Sequence, residues 1–313
     1  MLPATLVYFK PLPAMNITQR AAMLFLSAAT AGSSAEPAPP PSAPAEIRLV
    51  EAITYGTGGG RPLLLDLASP AVPSAKPRPA VVFIHGGAWA NSDRKNGHPL
   101  IKLLAKNGFV AVSIDYRLSG EAGFPAQLED SKCAVRFIRA HAADYGIDPK
   151  RIGVAGGSAG GHLAALVALI PDDAGLEGTG GWAGVSSRVS AVVDLYGVSD
   201  LTALARTHKL VDAVAKLMRG SLESRPELYR QASPLTWVKR GAPPFYLAHG
   251  DKDDVVPFNQ SEQLAAALRA VGTEATLRPM PGAGHGSIGT LPEIVRTDLV
   301  AFLTQHLGSS SAP

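Results

Sequence analysis

A chain of 313 residues, 46% of them hydrophobic, is long and apolar enough to bury a sizeable core, in one large α/β domain or two small ones. Its formal charge of +3 includes Lys10 and Arg20 from a leader with no acid before Glu36, so the body is nearly neutral, which argues against nucleic acid as a partner. Cys133 is the single cysteine, which excludes an internal disulfide and a cysteine-built zinc site.

Residues 1–35 read as a secretory signal whose start is expected at Met15. Polar Met15 to Arg20, apolar Ala21 to Ala31 and small Gly32 to Ala35 form its three regions, with cleavage expected after Ala35. The apolar part is too short to span a bilayer, and no cysteine near the cleavage point offers a lipid attachment site. A secreted or periplasmic protein without a stable membrane anchor is therefore expected. Residues 36–45 read as a proline-rich linker, 46–307 as the folded domain and 308–313 as a tail.

From Glu46 onward, strand and helix patterns alternate. Ile47 to Tyr55 and Pro62 to Leu67 predict an antiparallel pair at a sheet edge, joined by a turn over Gly56 to Gly60. Ala80 to Ile84 is a continuous apolar run of the kind a strand covered on both faces shows. His98 to Lys106 predicts a helix and Phe109 to Arg117 another buried strand. Between Phe124 and Tyr145 the spacing predicts a long helix burying Leu128, Val135 and Ile138, with Cys133 a small core residue. Ile152 to Leu166 reads as strand, tight turn and helix around Ser158, and Ser190 to Tyr196 resumes the sheet. Asp200 to Trp237 predicts a loosely helical insertion that shapes a cleft. Pro244 to Ala248 and Ala275 to Met280 are strands, with helices over Gln260 to Val271 and Leu291 to Leu307. The fold class is α/β: a mostly parallel, doubly covered central sheet in a single domain with small cap insertions.

Gly156-Gly157-Ser158-Ala159-Gly160 is a Gly-x-Ser-x-Gly turn. Neighbours without bulk let strand and helix approach while a strained serine hydroxyl stays exposed, and the helix N-terminus beside it favours an anion. A serine becomes a nucleophile only with a base, and that base needs a carboxylate to hold its tautomer. In this topology the order is serine, acid, histidine, each at a strand's C-terminal end. His85, His98 and His141 precede the serine, His162 lies on its helix, His249 precedes the acids, and His306 falls in the last helix. His285, in a glycine-rich loop after the last strand, fits the base. The acid is expected in His249 to Pro257, where Asp251, Asp253 and Asp254 compete and spacing alone does not separate Asp253 from Asp254. Asp194 is an outside alternative. His85-Gly86-Gly87-Ala88-Trp89 follows a buried strand, and its two glycines allow backbone amides to face a cleft.

These four ordered motifs, from His85 to Trp89, Gly156 to His162, His249 to Asp254 and Gly284 to Gly286, resemble α/β-hydrolase esterases of the hormone-sensitive-lipase-like group, in particular the bacterial carboxylesterase branch that includes acetylxylan and feruloyl esterases. The resemblance spans roughly Glu46 to Leu307. It implies a triad of Ser158, Asp253 and His285, with Asp253 standing three residues after the His-Gly pair, and an oxyanion hole from the amides of Gly86, Gly87 and Ala159. The chain departs from the family's His-Gly-Gly-Gly run at Ala88, which narrows the acyl side. The helical N-terminal cap of many relatives is missing, so a more open site is expected.

The expected function is hydrolysis of short acyl or aryl esters by a serine carboxylesterase without metal or organic cofactor. Candidate substrates are acetyl or feruloyl groups on plant polysaccharide, or polyesters. The alternative is an arylformamidase-like amide hydrolase; a non-enzymatic binding module would be expected to have lost a triad member. Trp89, Trp182 and Met218 are the candidate substrate-lining residues, with Tyr229 and Trp237 as further large side chains near the insertion.

Overall fold

The structure, a computed structural model, describes residues 46–207 and 209–308. The signal and linker read from residues 1–45, and the tail beyond Gly308, lie outside the described residues.

Among the described residues, eight strands form one sheet in the order β1-β2-β4-β3-β5-β6-β7-β8. They are β1 (Ile47–Gly58), β2 (Arg61–Pro70), β3 (Arg78–Ile84), β4 (Val110–Ile114), β5 (Ile147–Gly157), β6 (Val192–Leu195), β7 (Phe245–Gly250) and β8 (Ala275–Met280). The edge pair β1 and β2 is antiparallel, β2 runs antiparallel to β4, and every pair from β4 across to β8 is parallel. The turn expected over Gly56 to Gly60 is tighter than its glycines suggest. Thr57 and Gly58 pair with Pro62 and Arg61, leaving Gly59 and Gly60 as the connection.

The continuous apolar strands are explained by cover on both sides. In β3, Ala80, Val82 and Ile84 join the core on one face, while Val81 and Phe83 join the other. The first face carries α2 (Ala126–Ala140), α3 (Ala159–Leu169) and α7 (Asn259–Ala270), through residues such as Leu128, Ile138, Leu166 and Leu264. The second carries α1 (His98–Lys106) and α8 (Glu293–Leu307), through Leu100, Leu104, Leu299 and Leu303. Helix α3 is apolar almost all round, as a helix enclosed by its neighbours must be.

The insertion after β6 is built of short helices α4 (Leu201–Thr207), α5 (Val211–Met218) and α6 (Pro226–Gln231). Val214, Leu217 and Met218 anchor it in the first core. The irregular stretch 172–188 is fastened to α2 by charge. Glu177 accepts from buried Lys132 at 2.5 Å and from Arg136 at 2.7 Å, and Arg136 also donates to the Gly181 carbonyl.

Candidate active site

Ser158 is the hinge between β5 and α3, with φ 56° and ψ −120°, a region non-glycine residues occupy only when the surroundings force it. The forcing comes from backbone contact. A Cβ on Gly160 would stand 2.0 Å from the Ile84 carbonyl oxygen, and one on Gly156 would stand 2.1 Å from that of Gly160. The Ser158 amide donates to the Leu195 carbonyl of β6 at 2.9 Å, which fixes the turn while the residue stays half-exposed.

His285, in the loop after β8, brings Nε2 to 3.0 Å from Ser158 Oγ, and its Nδ1 donates to Asp253 Oδ2 at 2.7 Å. Because a carboxylate only accepts, Nδ1 carries the proton and Nε2 presents a lone pair to the serine hydroxyl. Burial alone would raise the Asp253 carboxyl. Hydrogen bonds from His249, His285 and the amides of Val256 and Val255 outweigh it and hold the group well below the usual carboxylate range. The competing aspartates have other partners. Asp251 accepts from the Gly282 amide at 2.7 Å, tying the His285 loop to the end of β7, and exposed Asp254 pairs with Lys209. Asp194 accepts from the Gly197 amide and does not meet His285.

The glycine loop after β3 faces the same serine. His85 Nδ1–H donates to the Gly86 carbonyl at 2.7 Å, and in a trans peptide the Gly87 amide points the opposite way, away from the histidine. Likewise the His85 carbonyl accepts from Tyr116 Oη at 3.1 Å, turning the Gly86 amide from that ring. Gly87 has φ 105°, and its Cβ would fall 2.2 Å from the Asn91 carbonyl oxygen, so the loop requires glycine there. Helix α3 makes its first bond from His162 N–H to the Ser158 carbonyl, which leaves the Ala159 amide at the helix start without a helical acceptor.

Gly86, Gly87, Ser158 and His285 open onto a cleft of about 470 Å³. Tyr196, Leu210, Val255 and Ile288 give it an apolar wall, while Asn91, Ser92, Asn96 and Ser287 line it with polar side chains. Tyr196 also packs edge-on against the His285 ring at 5.1 Å. A slightly larger cleft of about 510 Å³, between the C-terminal end of α3 and the starts of β6 and β7, is lined by no histidine and no carboxylate that could activate a nucleophile, and lies at the other end of the sheet. Size therefore does not select the site; chemistry does.

Trp89, Trp182 and Met218, expected from the sequence to line the substrate site, do not line this cleft. Trp89 is fully buried, with its indole N–H on His162, and Met218 is fully buried in the core. Trp182 donates to the Tyr55 carbonyl at 2.7 Å and stacks edge-on with Phe137 and His141, lining a different cleft. Tyr229 is buried, and Trp237 lines a separate groove beside α6. The large apolar side chains are taken up by packing, and the cleft is walled by residues next to the strand ends and by Leu210 of the insertion. Tyr196, Val255 and Ile288 were missed, although each follows a site residue or strand end closely in sequence.

Glu51, Asp66 and His98 are the described residues whose ligand atoms converge closely enough to suggest a metal. Asp66 already accepts from Arg94, His98 and the Ala52 amide, so the group is a saturated ion-pair network beside a guanidinium. No described helix is long and apolar enough to cross a membrane.

Comparison with known proteins agrees with this architecture. The profile of the BD-FAE family matches residues 65–268, which is most of the described domain. The chain belongs to the BD-FAE family. It is 37% identical over 253 residues to the esterase LipQ of Mycobacterium tuberculosis, covering 80% of this chain and 59% of LipQ. It spans 56–63% of the length of the first curated relatives it matches. Among solved structures, a truncated carbohydrate esterase from gut microbiota superposes with TM-score 0.76 at 29% identity, over 85% of this chain and 98% of that one. A butyrate-bound esterase from Thermogutta terrifontis gives 0.71 at 28% identity, over 86% and 96%. The α/β-hydrolase fold of this BD-FAE member is thereby established.

Proposed function

We propose that this chain is a serine carboxylesterase for short acyl esters. The observation that carries the reading is the unbroken hydrogen-bonded series Asp253, His285, Ser158 ending in the cleft beside Gly86 and Gly87. His285 Nε2 takes the hydroxyl proton as Ser158 Oγ bonds to the ester carbonyl carbon. The resulting oxyanion accepts from the amides of Gly86, Gly87 and Ala159. On collapse the alkoxide leaves with the proton held by His285. Water then attacks the acyl-enzyme by the same route, releasing the acid and restoring Ser158.

The apolar wall of Tyr196, Leu210, Val255 and Ile288 suits a short acyl group, and the butyrate-bound relative supports that size class. The polar side of Asn91, Ser92 and Asn96 suits a hydroxylated alcohol, a reading supported by likeness to a carbohydrate esterase. Export, supported by the sequence pattern of residues 1–35, is part of the proposal. Its check is recovery of the protein outside the cytoplasm, shortened to a start near Glu36.

The test is hydrolysis of 4-nitrophenyl esters from acetyl to dodecanoyl, with Ser158→Ala as control. Acetyl or butyryl should be preferred, and the substitution should lower kcat by on the order of 10⁶. Cleavage of an aryl formamide with no turnover of any ester would overturn the reading.

A further inference from the structure

Two residues of the glycine-rich motifs take no part in the chemistry above, and they meet in the core. The indole Nε1–H of Trp89 donates to Nδ1 of His162 at 3.1 Å, and Nε2–H of His162 donates to the Ala232 carbonyl at 2.7 Å. All three residues are fully buried. An indole only donates and a carbonyl only accepts, so His162 is held in one neutral tautomer and one ring orientation. Burial keeps it that way by lowering its pKa to about 4.

Each end of this chain is tied to a different part of the site. Trp89 stands two residues after Gly87, whose carbonyl accepts from the amides of Ala90 and Asn91, and the Trp89 carbonyl accepts from Ser119 at 2.7 Å. His162 bonds through its own amide to the Ser158 carbonyl. Ala232 closes α6 of the insertion that supplies Leu210 to the cleft. The loop also needs holding. Ala88, Trp89 and Ser92 have φ of 50°, 56° and 83°, a conformation that is strained for non-glycine residues and persists only when the surroundings over-determine it.

We propose that the chain Trp89, His162, Ala232 is a strut that fixes the oxyanion loop against the nucleophile helix and the insertion. His162 is thus a positioning residue: it touches no substrate and acts through Trp89 on the Gly86 and Gly87 amides. The proposal rests on the esterase reading. Oxyanion donors act over a narrow range of distance, so a small shift of the loop lowers the rate of the chemical step while leaving ground-state binding nearly unchanged.

The test compares Trp89→Phe, which keeps a ring and removes the donor, His162→Leu, which removes both contacts, and His162→Asn, whose carbonyl replaces Nδ1 as acceptor for the indole. Kinetics on 4-nitrophenyl acetate are read with near-ultraviolet circular dichroism as the check on folding. Trp89→Phe and His162→Leu should lower kcat by about 10- to 100-fold with KM within about threefold. The double variant should be no slower than the slower single, and His162→Asn should recover most of the loss. If His162→Leu does not fold, Trp89→Phe and His162→Asn decide the matter. Folded variants with wild-type kcat, or losses that multiply in the double variant, overturn the strut. A wild-type protein inactive on every ester overturns the esterase reading and the strut with it, whereas an active wild type with unaltered variants overturns the strut alone.

Discussion

Asp253 uses both carboxylate oxygens: Oδ1 accepts from the amides of Val255 and Val256, and Oδ2 from His285 and His249. His249 is itself fixed, with Nδ1 accepting from the Ser261 hydroxyl at 2.7 Å. Neighbouring Asp254 has one exposed partner, Lys209. The two carboxylates that spacing left undecided are therefore separated by what surrounds them. Asp253→Asn should lower kcat by about 10⁴, because an amide nitrogen facing Nδ1 forces the wrong histidine tautomer. Asp254→Asn should change it by less than about twofold, as exposed ion pairs contribute little. Measurement of kcat for both on 4-nitrophenyl acetate decides, and the reverse order would remove Asp253 from the acid role.

At the scale of elements, the contact between α3 and the strands beneath it tolerates no side chain. A Cβ at Gly160 would meet the carbonyl oxygens of Ile84 and His85 at 2.0 and 2.7 Å, and backbone on both sides cannot yield as a side chain would. Gly160→Ala should therefore cost more than about 3 kcal/mol, above the usual overpacking range. Gly120→Ala, where nothing lies within 4 Å, should stay within about 0.5 kcal/mol. Urea unfolding of both checks the contrast, and equal midpoints would refute it. This close approach was legible in the sequence, because a run of glycines between an apolar strand and an apolar helix has few other uses. The central strands were legible for a related reason: burial on both faces leaves no polar position in Val81 to Ile84. The cleft was not legible. Whether Trp89 points into a core or a pocket depends on His162 and Ala232, which lie 73 and 143 positions further along the chain. Leu210 and Val255 are ordinary aliphatic residues that become a wall only once the insertion folds back.

Across the whole molecule, two buried titrating groups pull stability in opposite directions with pH. Asp194 is enclosed, with Oδ2 lacking any hydrogen-bond partner, and burial pushes its carboxyl from 3.8 to about 6. The folded state then binds this proton more tightly than the unfolded chain, so the stability contributed is fullest below about 3.8 and is lost as pH rises through about 6. His162 does the opposite. Its folded value of about 4 against 6.5 means the unfolded chain takes up the proton first, so stability is lost as pH falls from 6.5 towards 4. Between about pH 4 and 6 the two slopes, each about 1.4 kcal/mol per pH unit, offset one another. Asp194→Asn removes one and leaves the other. Its unfolding free energy should rise by about 3 kcal/mol more than that of the wild type between pH 4 and 6, all other groups being common to both. Urea unfolding of the two proteins at pH 4, 5, 6 and 7.5 measures this difference. Parallel profiles would mean that the folded Asp194 carboxyl titrates no higher than the unfolded one, and that the unpartnered oxygen is charged across the measured range.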